Sequence, residues 1–124
     1  MKRNGFTLVE VIVVVCVMAI LMAVSVPVAT SYFQDANENK VMNEAKTVLE
    51  VAKSHLSLKA SLSGTFIEDR VLSEEQKQEI TEKAYVEGEL KNLEYTNSKI
   101  SSFKYCNLNL CVISTDGQSL KIEK

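Results

Sequence analysis

The sequence predicts an α+β fold: a long N-terminal α-helix, membrane-spanning in its first half and amphipathic in its second, packed on a small antiparallel β-sheet head. Three observations predict it. Fourteen consecutive apolar residues run from Val11 to Val24. Beyond them, apolar residues recur at helical spacing from Val41 to Leu56. The last third of the chain holds short strand-like runs separated by turn residues.

The apolar block extends over residues 6–29, interrupted only by Thr7, Glu10, Ser25 and Pro27. As a helix, 24 residues reach about 36 Å, enough for a hydrocarbon core about 30 Å thick. Lys2 and Arg3 precede the block and acidic residues dominate the first stretch after it, which places the N-terminus in the cytoplasm. Two processing schemes compete. A basic start, an apolar block and the small residues Ala23 and Ser25 also suit a conventional signal peptide, whose removal near Val26 would release a secreted binding domain.

Glu10 argues against release. An acidic side chain in an apolar run costs roughly 2.5 to 3.5 kcal/mol at mid-membrane, less toward the interface, so something must offset it. One offset is local: Thr7-Leu8-Val9-Glu10 has the spacing of a capping box. The other lies between molecules. A carboxylate and an ammonium, each costly in lipid, offset each other when brought together where water is scarce.

Gly5-Phe6-Thr7-Leu8-Val9-Glu10, followed by the apolar run and Pro27, closely resembles the type IV prepilin signature. The resemblance covers the first 30 residues strongly and the next 30 by pattern. It implies a leader of residues 1–5, cleavage between Gly5 and Phe6 by a prepilin peptidase, methylation of the new Phe6 amino terminus, and a Glu10 that meets the terminus of a neighbouring subunit. It also implies an assembly ATPase and a platform protein as partners, and a homo-oligomer or co-assembly with other pilins. The chain would start in the bacterial cytoplasmic membrane and finish in an extracellular filament. Within the same machinery, a minor pilin or pseudopilin serving secretion or DNA uptake is the close alternative. A permanently anchored, non-polymerising surface protein is a third reading.

Pro27 lacks an N–H and opposes the carbonyl of Ala23, so the helix bends or loosens there, unless it simply stops. The apolar stripe Val41, Ala45, Val48, Leu49, Ala52 and Leu56 favours continuation, giving an amphipathic segment over residues 30–62. Val51 and Leu58 fall off the stripe and read as tolerated surface residues.

The head is expected over residues 63–124. Ser73-Glu74-Glu75-Gln76 reads as a capping box opening a second helix to about Glu87, with Gly88 as terminator. Leu93 to Thr96, Ser101 to Cys106 and Leu110 to Ser114 read as strands, and Asp116-Gly117 as a hairpin turn before a strand at Leu120 to Ile122.

Cys106 and Cys111 can form a disulfide outside the cell if the chain turns between them; in one straight strand their thiols point to opposite faces. The pilin resemblance also implies a C-terminal disulfide. Cys16 reads as a small apolar residue, and His55, the only histidine, as an amphipathic surface residue rather than a general base. No phosphate loop, zinc spacing or nucleophile triad is present, so neither enzyme, cofactor nor metal is expected. Net charge is −2, and loss of Lys2 and Arg3 with a leader leaves 12 basic against 16 acidic side chains, or −4, which does not favour non-specific nucleic-acid binding.

Overall fold

The computed structural model describes residues 5–63 and 70–123. Lys2 and Arg3, most of the expected leader, and residues 64–69 lie outside the described residues. The chain divides into two compact units, Met1–Ala36 and Asn37–Lys124. Among the described residues, the first holds a short non-helical entrance and the start of the long helix, and the second holds the remainder of that helix, a second helix and all of the sheet.

Helix α1 is assigned over Leu8–Ser63 and carries Pro27 inside it, so the proline is not a stop. In the first unit the apolar residues are solvent-exposed on every side. Ser25, Thr30 and Ser31 turn their hydroxyls back on the carbonyls of Leu21, Pro27 and Val28, at 2.7, 2.9 and 2.9 Å. That habit lets polar side chains sit on an apolar helix without an unpaired donor.

In the second unit the six stripe residues are all buried, from Val41 and Ala45 at 0 % exposure to Leu49 at 3 %. Leu58 is exposed as expected, whereas Val51 packs against the core rather than merely tolerating solvent. Helix α2, Glu74–Ala84, opens on the anticipated capping box: the Gln76 N–H donates to Ser73 Oγ and the Ser73 N–H to Gln76 Oε1. It ends three residues before the anticipated Glu87. Tyr85 takes the left-handed conformation (φ 52°), and its N–H caps the Glu82 carbonyl, so Tyr85 and not Gly88 terminates the helix. Lys77 is buried in α2, and its ammonium donates to Glu74 and to the Lys91 carbonyl.

The sheet is an antiparallel meander in the order β1-β2-β3-β4-β5, with strands Arg70–Val71, Glu89–Thr96, Lys99–Asn107, Leu110–Ser114 and Lys121–Glu123. β1 is additional to the expected strands, and β2 begins four residues earlier than expected. The pairing skips Lys91 on β2 and Ser101 on β3. Each bulge shifts the side-chain alternation by one residue. Leu90, Leu93 and Tyr95 therefore face the core together, as do Ile100, Phe103 and Tyr105, despite a spacing of three in each set. Burying a side chain such as Leu93 or Phe103 contributes about 1.5 to 3 kcal/mol. The long helix and the sheet thus share one core with Leu72, Ile80 and Ala84.

Two tight turns join β2 to β3 and β3 to β4. Asn97 and Ser98 (φ 51° and 62°) and Leu108 and Asn109 (φ 51° and 61°) have the paired positive φ values of type I′ turns. The connection from β4 to β5 is longer. Asp116 organises it: Oδ1 accepts from the Ser114 hydroxyl and the Gln118 and Ser119 N–H groups, and Oδ2 from the Ser119 hydroxyl. Gly117 has φ 67°, and its would-be Cβ stands 2.4 Å from the Ile100 carbonyl oxygen, so no other residue fits there.

The Gln118 N–H, followed by the Ser119 and Ser114 groups, holds the Asp116 carboxyl well below the usual carboxylate range. A pKa lowered by folding stabilises the folded state above the unfolded value of 3.8 and is lost as pH falls toward the folded value. The head is expected to lose thermal stability below that point more steeply than Asp116→Asn. Melts across the acid range check this, and parallel curves would refute it.

Candidate functional site: the helix entrance and the head disulfide

At the entrance of α1, residues 5–7 are exposed and non-helical. The Gly5–Phe6 bond therefore lies in a segment whose amides are not committed to a helix, as any peptidase requires. Nothing stands within 4 Å of a Cβ placed on Gly5, and Phe6 is 88 % exposed.

Glu10 forms the local capping box. The Thr7 N–H donates to its Oε2 at 2.8 Å, the Thr7 hydroxyl donates to the same oxygen at 3.1 Å, and the Glu10 N–H donates to Thr7 Oγ1 at 3.3 Å. Both donors meet Oε2. The second carboxylate oxygen is therefore not used by the cap. A carboxylate can accept about four hydrogen bonds, so capping and recognition of an outside cation are compatible roles.

Residues 1–26 match the prokaryotic N-terminal methylation motif. The chain carries the type IV prepilin signature. No curated protein and no solved structure matches the chain. The signature takes in Gly5, Phe6, Glu10 and the apolar first half of α1, a helix long and apolar enough to cross a membrane. Processing by a prepilin peptidase and assembly with other pilins are what a prepilin signature entails, and the α+β fold is the pilin-like one that the resemblance implied.

In the head, the β3–β4 turn brings Cys106 opposite Cys111, with Cα atoms 4.1 Å apart, and the two form a disulfide. The straight-strand alternative is excluded by the two-residue turn at Leu108-Asn109. The bridged pair alternates with buried Tyr105 and Val112, so the disulfide lies on the sheet face away from the core. Closing six residues contributes about 2 kcal/mol by chain entropy, and the tight turn already limits the unfolded excursions. Cys106→Ser with Cys111→Ser is thus expected to lower the melting temperature of the head while leaving its secondary structure in place. A head unfolded at room temperature by reduction would contradict this.

A polar cluster that sequence reasoning missed ties the helix to this hairpin. Glu44 Oε2 accepts from the Tyr105 hydroxyl at 2.8 Å and from the Asn107 amide at 2.6 Å, and Tyr105 Oη accepts from the Gly88 N–H at 2.9 Å. Burial first, and then the bond to Glu44, push the Tyr105 phenol above its ordinary value. Lys40 pairs with Glu87 at 2.8 Å, which raises the lysine and lowers the carboxyl. The signal was present: Glu44 sits at the edge of the stripe, between Val41 and Ala45, four residues beyond Lys40.

His55 is half-buried on α1, and Cys16 is a free thiol exposed on the apolar half. Among the described residues no cluster of three His, Cys, Asp or Glu side chains could hold a metal ion.

Proposed function

We propose that this chain is a structural subunit of a type IV pilus or a related filament. Prepilin peptidase cuts it between Gly5 and Phe6 and methylates the Phe6 amine. The apolar half of α1 anchors it in the bacterial cytoplasmic membrane with the N-terminus inside. An assembly ATPase and a platform protein then draw it into an extracellular filament, in which the Phe6 ammonium of one copy meets Glu10 of another.

The observation that carries this reading is the methylation motif over residues 1–26, joined to a helix whose apolar side chains are exposed all round. A helix apolar on every side needs lipid or other helices about it, and the proposed life history supplies first one and then the other. Pro27 serves as the hinge between the two settings, because the Ala23 carbonyl lacks its usual donor four residues on.

The mature protein is expected to begin at an N-methylated Phe6. Mass spectrometry of the N-terminal peptide tests it. A start near Val26 would instead identify a secreted domain, and an intact Met1 a permanent anchor; either defeats the proposal.

A further inference from the structure

The far end of the β3–β4 hairpin is held unevenly. β2 begins at Glu89, which pairs with Cys106, so Asn107 lies one residue beyond the reach of β2 and pairs with Leu110 of β4. The turn that joins these two is Leu108-Asn109, and its own Cβ disfavours a leucine at φ 51°. Tyr105, two residues back, is anchored three ways: it is fully buried, it pairs with Leu90, and its oxygen accepts from the Gly88 N–H. The Cys106–Cys111 bridge is thus a covalent closure directly beneath a weakly favoured turn.

Alternate side chains of a strand point to opposite faces. Cys106 faces away from the core, while Tyr105 and Asn107 on either side of it face α1. Both donate there to the same oxygen, Glu44 Oε2, at 2.8 and 2.6 Å. The other Glu44 oxygen has Lys40 at 3.8 Å, an ammonium whose nearer partner is Glu87 at 2.8 Å. Of the two donors to Glu44 Oε2, Asn107 is the one whose place depends on the hairpin end, and Tyr105 the one whose place does not.

The bridge is also open to chemistry. Glu89, Cys106, Cys111 and Glu123 form one cross-strand row on the face away from the core, with the carboxylates exposed and the cysteines half-buried. A thiolate can reach a sulfur in that row without the core opening.

We propose that Cys106–Cys111 is a reversible thiol–disulfide exchange site of the folded head, and that its closure fixes the Asn107–Glu44 bond at the seam between α1 and the sheet. In the closing direction the two thiols give up two electrons and two protons to an oxidant of the disulfide class, which leaves as a dithiol. In the reverse direction a dithiol attacks one sulfur, ends as its own cyclic disulfide, and passes its two protons to Cys106 and Cys111. The site is a property of the head alone. The filament reading adds only where it closes, since thiols stay reduced in the cytoplasm and disulfides persist outside. The hairpin end is then loose when the chain is made and fixed on α1 once the head is displayed.

The detergent-solubilised full chain, oxidised or treated with dithiothreitol, tests both halves. Dithiothreitol is expected to expose two alkylatable thiols besides Cys16 in a head that keeps its circular dichroism. A bridge that resists reduction until the head unfolds overturns the exchange site. Asn107→Ala is expected to lower the melting temperature of the oxidised head by about 5 °C and that of the reduced head by less than about 2 °C, whereas Tyr105→Phe lowers both equally. Equal losses for Asn107→Ala in the two states overturn the link between bridge and seam. Neither arm uses filaments, so a chain that does not polymerise leaves the exchange site standing, and a failed exchange site leaves the filament reading standing.

Discussion

Glu10→Gln is expected to insert into the membrane and to be cut before Phe6 like the parent chain, yet to enter filaments at least tenfold less well. The structure shows why glutamine is the informative substitution. Glu10 closes a capping box with Thr7, and Gln at the same position closes such a box equally well. The substitution therefore keeps the helix start and removes only the charge. Alanine removes both, at a cost of about 1 kcal/mol for the lost cap, so a defect in Glu10→Ala alone would not separate the two roles. Two unit charges 4 Å apart attract by roughly 4 kcal/mol at an effective dielectric of about 20. Desolvation cancels part of this, but about 1.4 kcal/mol suffices for a factor of ten. Quantifying sheared filaments against total membrane-bound protein checks it. If Glu10→Gln filaments accumulate to parental levels while Glu10→Ala filaments do not, Glu10 is a cap and not a docking charge.

Why the long helix and the second capping box were legible, and the sheet less so, has a physical reason. A helical stripe is a local code: Val41, Ala45, Val48, Leu49, Ala52 and Leu56 fall on one face whatever the rest of the chain does, and all are buried. Ser73 and Gln76 satisfy each other within one turn. The sheet depends on register, which is set between strands. With bulges at Lys91 and Ser101, strict alternation fails for Leu90 to Leu93 and for Ile100 to Phe103. A period-two pattern is therefore continuous only at the end of β2. The turn at Leu108-Asn109 is hidden for a related reason, because leucine is an unusual choice for a positive φ, and the pairing of Cys106 with Cys111 depends on that turn. At the N-terminus, Gly5, Phe6 and Glu10 were legible as a contiguous motif, needing no tertiary contact to be seen.

Gly88 illustrates the limit of local reading, and its substitution has the largest expected effect on the head. As a helix terminator it would tolerate alanine at modest cost, but Tyr85 already ends α2. A Cβ on Gly88 would stand 2.2 Å from Tyr105 Oη, 2.4 Å from Cζ of the same ring and 2.6 Å from the Cys106 carbonyl oxygen. Tyr105 is fully buried and cannot swing aside without opening the core. Its hydroxyl also joins Gly88 to Glu44, so displacing the ring breaks two hydrogen bonds and leaves Glu44 with only the Asn107 amide and Lys40. Overpacking costs about 1 to 3 kcal/mol and each lost hydrogen bond about 0.5 to 1.5 kcal/mol more. Gly88→Ala is therefore expected to destabilise the head by about 3 kcal/mol, a drop of roughly 15 °C for a domain of this size. Adding Tyr105→Phe should not restore stability, because the ring carbon and the Cys106 carbonyl remain in the way. Thermal melts of the detergent-solubilised full chain decide it. A Gly88→Ala head that melts with the parent would mean that Tyr105 and the hairpin yield more easily than a close-packed core allows.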